Sequence, residues 1–388
     1  MLYVGIDVAK RSHEIGIVDA DGRVLLKGLK ISNDRQGFSQ LQEVLSGYSE
    51  EKMIGLEATG HYWLALYAFL SELGYQVIVL NPLQVAAYRK TGLRKVKNDP
   101  KDAVWVADFI RVFRCQVSDS SIPVFLKLRE LSRFRFRLNE QIGECKNKLL
   151  SILDRVFPEY ERLFSSPFLE TSRQLLQKAV SAQEFSDFDL QELTDLLQQA
   201  SRGRFNQAKA LEIQQQARSS VGVTFLVDAI HLEMNCLLAQ IELLEQQRDQ
   251  VDAKLEELMG QIPDQHITSI PGIGLATGAA ILAEIGDVQR FETAEKLVAY
   301  AGIDATVYQT GEFEASEHHM SKRGSPYLRH ALWQAASMAI RYDPDLLAYY
   351  QLKKKEGKHH NVIIGAVCRK LLARVFIILK EKRPYIKH

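Results

Sequence analysis

Along the first 115 residues, short apolar runs alternate with turn residues and amphipathic stretches, which is the pattern of an α/β domain. LYVGIDVA (2–9) reads as a buried strand, and HEIGIVDADGRVLLKGLKIS (13–32) as two strands joined by a DADG turn. NDRQGFSQLQEVLSGY (33–48) reads as a helix entered from an Asn or Asp cap. The strand KMIGLEA, the amphipathic helix HYWLALYAFLSELG ended by Gly74, and the strand YQVIVLN closed by Pro82 follow. A three-strand antiparallel meander followed by helix and parallel-strand units is the order of an RNase H-like fold.

From Leu128 the period changes. Apolar residues at Leu131, Leu138, Ile142, Cys145, Leu149, Ile152 and Val156 step by fours and threes, with one position missed at Arg135. A second seam runs through Ile230, Met234, Leu237, Ile241, Leu244, Val251, Leu255 and Leu258, interrupted at Arg248. Both are heptad patterns and predict two long helices, paired either with each other as an antiparallel arm or between subunits. Residues 158–222 between them are rich in Gln and Ser and read as a helical insertion. After Pro263, HITSIPGIGLATGAAILAEIGD carries a PGIG turn into a helix of small residues, a helix-hairpin-helix-like element. Such a turn lets backbone N–H groups approach a phosphate, and the same glycines equally suit close helix packing. The expected architecture is α/β plus α, divided at 1–125, 126–260 and 261–388.

Composition adds limits. A chain of 388 residues favours two or three domains. Four scattered cysteines without CxxC spacing argue against a disulfide framework or a structural zinc site. With no run of about 18 apolar residues, and a start directly on a strand-like segment, the expectation is a cytoplasmic protein with no membrane partner. The net charge of +1 does not by itself point to nucleic acid. Its distribution does, because basic residues cluster at 88–101, 129–137, 318–330 and 353–360. Lys95, Lys97, Arg129, Arg133, His318, Lys322, Arg323 and Arg329 are the candidate nucleic-acid contacts.

The acidic residues carry the chemistry. Asp7 and Glu57 each stand at the carboxyl end of an apolar strand, where ligands approach open α/β sheets. Asp99 and Asp102, in KNDPKDA, are spaced i, i+3 at a helix start and share a side of it. If the two strands are neighbours and the helix packs beside them, four carboxylates converge. Crowded carboxylates need cations, and an oxygen-only set suits Mg²⁺, with two ions serving phosphodiester cleavage.

GIDVAK, LEATGHYW, VLNP and KNDPKDA resemble, in order and spacing, the N-terminal half of the DEDD transposases of bacterial insertion sequences, the one-hundred-and-ten family, with Piv-like DNA invertases as relatives. SIPGIG, YAGID, SKRG and YLRHALWQAA resemble that family's C-terminal transposase domain. The resemblance implies a RuvC-like N-terminal domain, a long coiled-coil connector and a mainly helical C-terminal domain that contributes a hydroxyl nucleophile. It also implies donor and target DNA as substrates, a structured bridge RNA as guide, and a homodimer or tetramer with shared active sites. Where the family has Ser before Gly, this chain has Thr310 before Gly311, in VYQTGEFEA. Thr310 is the candidate nucleophile, although its β-branch stiffens χ1; Ser316 or Ser321 in its place, or an altered position with impaired strand transfer, are the alternatives. His318, His319, Lys322, Arg323 and Arg329 follow closely and could stabilise phosphate charge.

The rival readings are a metal-dependent junction-type endonuclease, a Piv-like invertase without an RNA guide, and a non-catalytic scaffold. An actin-like ATPase is disfavoured because Val8, Ala9 and Lys10 follow Asp7 where that fold needs Gly and Thr.

Overall fold

The computed structural model describes residues 1–58, 60–80, 82–89, 99–113, 122–263, 265–304, 309–310, 313–314 and 320–386; at 82–84, 99–101, 122, 309–310 and 313–314 only the backbone is described. Two compact units, Met1–Ile122 and Pro123–His388, divide the chain.

The first unit is built on a five-stranded sheet. Strands β1 (Leu2–Val8), β2 (Ser12–Val18) and β3 (Val24–Ser32) form an antiparallel meander. Helix α1 (Arg35–Ser46) leads into β4 (Lys52–Glu57), and α2 (Leu64–Glu72) into β5 (Gln76–Leu80). The sheet order is β3-β2-β1-β4-β5, with β1, β4 and β5 parallel. This is the mixed sheet that the apolar runs predicted. Asp34 caps α1 by accepting from the Gly37 N–H. Helices α3 (Pro82–Arg89) and α4 (Asp99–Phe113) complete the unit.

A row of glycines lets α4 lie unusually close to the sheet. Gly5 pairs in register with Gly16 on one side and Gly55 on the other, so three neighbouring strands lack side chains at one level. A Cβ on Gly5 would stand 2.1 Å from the Ala103 carbonyl oxygen and 2.2 Å from the Ala107 nitrogen; one on Gly16 would stand 2.7 Å from the Val104 nitrogen. Along a strand, alternate residues share a face, so Asp7 and Glu57, two positions beyond Gly5 and Gly55, point to the side on which α4 lies.

Among the described residues the second unit is mainly helical, with a small ladder of β6 (Gln309–Thr310) and β7 (Phe313–Glu314). Its long helices are α5 (Ile122–Val156) and α10 (Val227–Gly260). Contacts between them run in opposite senses: Arg135 reaches Asp252 at 2.5 Å, Lys146 reaches Glu245 at 3.2 Å and Arg155 reaches Glu233 at 3.7 Å. The two therefore lie antiparallel within one chain. Arg135, which interrupts the first seam, is the residue that makes the pair with Asp252. At one end the seams enclose Phe157, Tyr160 and Phe185, together with α6 (Glu170–Leu176), α7 (Ala182–Asp187), α8 (Leu190–Ser201) and α9 (Gln207–Arg218). At the other end they share a core with α11 (Leu275–Ile285), α12 (Ala294–Ala301), α13 (Pro326–Tyr342), α14 (Pro344–Lys355) and α15 (His360–Glu381). The insertion and the C-terminal helices thus each share an apolar core with one end of the long pair.

In the PGIG turn, Gly272 has φ +92°, and a Cβ there would stand 2.4 Å from the Ala339 nitrogen of α13. Close helix packing is therefore the use of that glycine. Around Gly274 the space is open, at the N-cap of α11. Among the described residues no helix is long and apolar enough to cross a membrane.

Gly5→Ala should force α4 away from β1 and lower stability by roughly 2–3 kcal/mol, the cost of overpacking a tight interior. Denaturant unfolding of the full chain measures it, and an unchanged midpoint would show that the close approach is not required.

Candidate active site

Register brings the first two acids together. Ile6 pairs with Leu56 on the parallel strands β1 and β4, so the next residues, Asp7 and Glu57, are neighbours at the carboxyl edge. Asp102 comes from the first turns of α4, beside the Ala103 that rests on Gly5. Glu57 is 8% exposed and Asp102 9%, while Asp7 is half-buried. Among the described residues, all three face the guanidinium of Arg89. Arg89, the last residue of α3, lies 2.7 Å from Glu57 Oε2 and 3.8 Å from Asp7 Oδ1 through the same nitrogen, and its Nε lies 3.7 Å from Asp102 Oδ1. Asp99 opens α4, but its side chain lies outside the described residues.

Neighbouring contacts hold α3 in place. The Tyr88 hydroxyl donates to Asp108 Oδ2 on α4 at 2.6 Å, and Arg111 donates to Asp108 Oδ1 from Nη2 at 2.6 Å and from Nε at 2.9 Å. Burial, with the Asp108 hydrogen bond, pushes the Tyr88 pKa up to about 12, so this hydroxyl keeps its proton and stays a donor. Edge contacts from Tyr88 to Trp105, Phe109 and Phe113, at 5.4–5.5 Å between ring centres, add to the clamp.

Counted over the described residues, three carboxylates face one guanidinium, an excess of negative charge. Its donors are all oxygens, with no His or Cys, which fits a hard divalent cation. In this arrangement Arg89 stands among the carboxylates, and among the described residues no three acidic, His or Cys side chains are grouped to hold one ion directly.

In the second unit the candidate residues part company. Thr310 lies on β6, its backbone paired with Phe313, with its side chain outside the described residues. Lys95, Lys97, Ser316, His318 and His319 also lie outside them. Lys322 and Arg323 are exposed on a loop pinned against the YAGID turn. There Ser321 N–H donates to the Asp304 carbonyl and Lys322 N–H to the Gly302 carbonyl, each at 3.0 Å, and the Ser321 hydroxyl donates to the Asp304 carboxylate. A Cβ on Gly324 would stand 2.0 Å from the Tyr300 carbonyl oxygen, so this loop needs glycine at its close approach. Arg329 donates to the Gly324 carbonyl at 2.6 Å and so braces the loop from within. Arg129 donates to the Ala283 carbonyl at 3.1 Å, and Arg133 grips the buried Glu284 through two bonds at 2.7 and 3.0 Å. Three of the predicted nucleic-acid contacts are thus engaged inside the unit, and two present free surface.

Residues 4–158 match the family model of the IS110 DEDD transposases, described as a transposase, and residues 264–351 match that of the transposase IS116/IS110/IS902 family. The chain belongs to the IS110 family of DEDD transposases. Relatives match along nearly its whole length. The mini-circle putative transposase for IS117 of Streptomyces coelicolor is 26% identical, covering 99% of this chain and 95% of that protein. A pilin gene-inverting protein of Moraxella bovis is 22% identical, covering 99% and 98%. The insertion element IS900 42 kDa protein of Mycobacterium paratuberculosis is 25% identical, covering 99% and 97%. The protein is accordingly a DNA transposase or recombinase of insertion-sequence type. In this transposase, sequence reasoning missed Arg89 as a member of the acidic site. It stood inside a basic run, and only its place at the end of α3, one residue after the clamped Tyr88, turns it inward.

The geometry ranks the carboxylates. In the absence of metal, Glu57→Gln should cost about 2 kcal/mol, the worth of a charge-assisted hydrogen bond. Asp7→Asn should cost less, because its contact with Arg89 is longer, 3.8 Å against 2.7 Å, and its loss is partly offset by relief of repulsion from the other carboxylates. Unfolding in the presence of a chelator reads both, and equal losses would contradict the ranking.

Proposed function

We propose that this transposase cuts and rejoins DNA at a divalent-metal centre held by Asp7, Glu57 and Asp102, with Asp99 as fourth carboxylate, and uses the Thr310 hydroxyl as nucleophile. The observation that carries the reading is the convergence of three carboxylates from two adjacent strands and one helix. When bound, a pair of Mg²⁺ ions would polarise the scissile phosphate and stabilise charge on the attacking and leaving oxygens.

The protein's own groups do the rest. The carboxylates fix the centre at the sheet edge, held to one another by the glycine row and α4. The Thr310 oxygen attacks phosphorus and gives up its proton; the bond to the 3′ oxygen breaks, and that oxygen takes up a proton. The result is a threonine–phosphate ester and a free 3′ hydroxyl, which attacks the ester in the joining step. Lys322 and Arg323, exposed beside the pinned loop, hold backbone phosphates.

Donor and target DNA are the substrates, met in the cytoplasm, and a bridge RNA from the same element selects them by pairing. Support for the RNA is the family resemblance, and sequencing RNA that copurifies with the protein tests it. The working form is a homodimer or tetramer with shared active sites, built on the antiparallel coiled-coil arm of α5 and α10. Exposed apolar side chains support association: Leu232 at 70% and Leu243 at 54% on α10, and Phe225 at 81% just before it. A second reading, site-specific inversion without an RNA guide, is favoured by the full-length match to the pilin gene-inverting protein. A junction-type endonuclease would hydrolyse the strand without a covalent intermediate, which is the outcome that distinguishes it from this mechanism.

Incubation with element-end DNA and Mg²⁺, followed by denaturing electrophoresis, should trap a covalent protein–DNA adduct. Thr310→Ala should remove the adduct and recombination while leaving DNA binding intact, Thr310→Ser should retain both, and Asp102→Ala should lower strand cleavage by at least about a hundredfold. Cleavage without any adduct would replace the transfer mechanism with hydrolysis.

A further inference from the structure

Three arginines elsewhere in this molecule meet a carboxylate through two parallel bonds. Arg133 holds Glu284 at 2.7 and 3.0 Å, Arg173 holds Glu245 at 2.7 and 2.9 Å, and Arg135 holds Asp252 at 2.5 and 3.1 Å. This fork-on-fork geometry is the strong form of the pair and is used where a guanidinium is a fixed part of the fold. Arg89 does not follow it, and neither does Arg374, which donates to the buried Asp343 through one nitrogen. With three carboxylates within reach Arg89 makes one hydrogen bond, to Glu57 at 2.7 Å. Its contacts with Asp7 and Asp102, at 3.8 and 3.7 Å, are electrostatic only, and its buried Nε has no hydrogen-bond partner among the described residues.

The backbone beneath this side chain is held independently of it. Tyr88 is bonded to Asp108 and packed against three rings, so α3 stays on α4 whatever Arg89 does. The guanidinium side chain keeps 24% exposure, which leaves it a way out to solvent. A monovalent group held by one bond in an anionic pocket is a weak occupant beside a divalent ion that needs the same oxygens. An ion that takes the Glu57 oxygen competes with Arg89 for it, and repulsion between the two cations adds to the displacement.

We propose that Arg89 is the built-in counter-ion of the carboxylate cluster: it holds the acids together before metal arrives and is displaced from Glu57 when a divalent cation enters. The proposal rests on the metal reading of the site. Arg89 is a positioning residue here, acting through the carboxylates. While it sits among them the site is closed to metal, so the measured affinity is the intrinsic one reduced by the fraction of molecules with the guanidinium swung out.

Mn²⁺ titration of the full-length chain, followed by calorimetry and by the paramagnetic signal of free ion, tests this without reference to activity. Arg89→Met, which keeps an apolar stem, should bind Mn²⁺ about tenfold more tightly than the natural chain. It should also melt lower in chelator and gain more on adding metal. Arg89→Lys, which keeps the charge without the fork and preserves the fold should the Met variant fail, should fall between the two. Asp102→Ala sets the background. A merely structural arginine predicts weaker or unchanged Mn²⁺ binding in both variants, and that result would overturn the proposal while leaving the metal centre standing. Binding no better than the Asp102→Ala background in the natural chain and in both variants would remove the metal centre, and the counter-ion role with it.

Discussion

Three carboxylates crowded at one edge of a sheet repel one another, and the first unit is arranged around making that crowding tolerable. Repulsion between ionised groups a few Å apart inside a protein is large unless a cation stands among them. Here Arg89 supplies that cation, with its nearest contact at 2.7 Å to Glu57. The backbone supplies the opposing force. Gly5, Gly16 and Gly55 open a channel across three strands, and Ala103 and Ala107 of α4 occupy it. Packing at that distance leaves Asp102 little freedom to retreat, so the electrostatic cost is carried by the fold and by the guanidinium together.

Much of this was legible in the residues because it follows from period and register. Alternation along LYVGID and KMIGLE puts an acid two positions beyond a glycine in each strand, and adjacent parallel strands then align the acids. The i, i+3 spacing in KNDPKDA placed Asp102 at a helix start, which the structure shows. What could not be read was the role of Arg89. Its neighbours in sequence are basic, and a basic run reads as a nucleic-acid surface until the helix that ends in it is seen to aim one member inward. The same holds for Arg129 and Arg133, whose partners are the Ala283 carbonyl and the buried Glu284 carboxylate far along the chain, and for Arg329, which turns back on the Gly324 carbonyl. Charge clustering locates basic residues along the chain and says nothing about which of them meet an internal acceptor.

The glycine turns of the second unit carry a related lesson. PGIG and SKRG both suit a phosphate, yet Gly272 and Gly324 are explained by backbones they touch, Ala339 in one case and Tyr300 in the other. Glycine at such places is required by packing first. The exposed neighbours Lys322 and Arg323 then stand on a loop whose shape is fixed from beneath, which is the condition for reading a phosphate backbone with little loss of side-chain order. The two heptad seams gave the long helices correctly, and the contact of Arg135 with Asp252 shows why a seam tolerates one charged position when its partner helix answers it.

Diffraction from crystals grown with Mn²⁺, recorded at the manganese absorption edge, tests the central claim most directly. The account predicts anomalous density bounded by the carboxylates of Asp7, Glu57 and Asp102, with the Arg89 guanidinium moved off Glu57. Manganese bound elsewhere, with Arg89 still bonded to Glu57 at saturating metal, would contradict it.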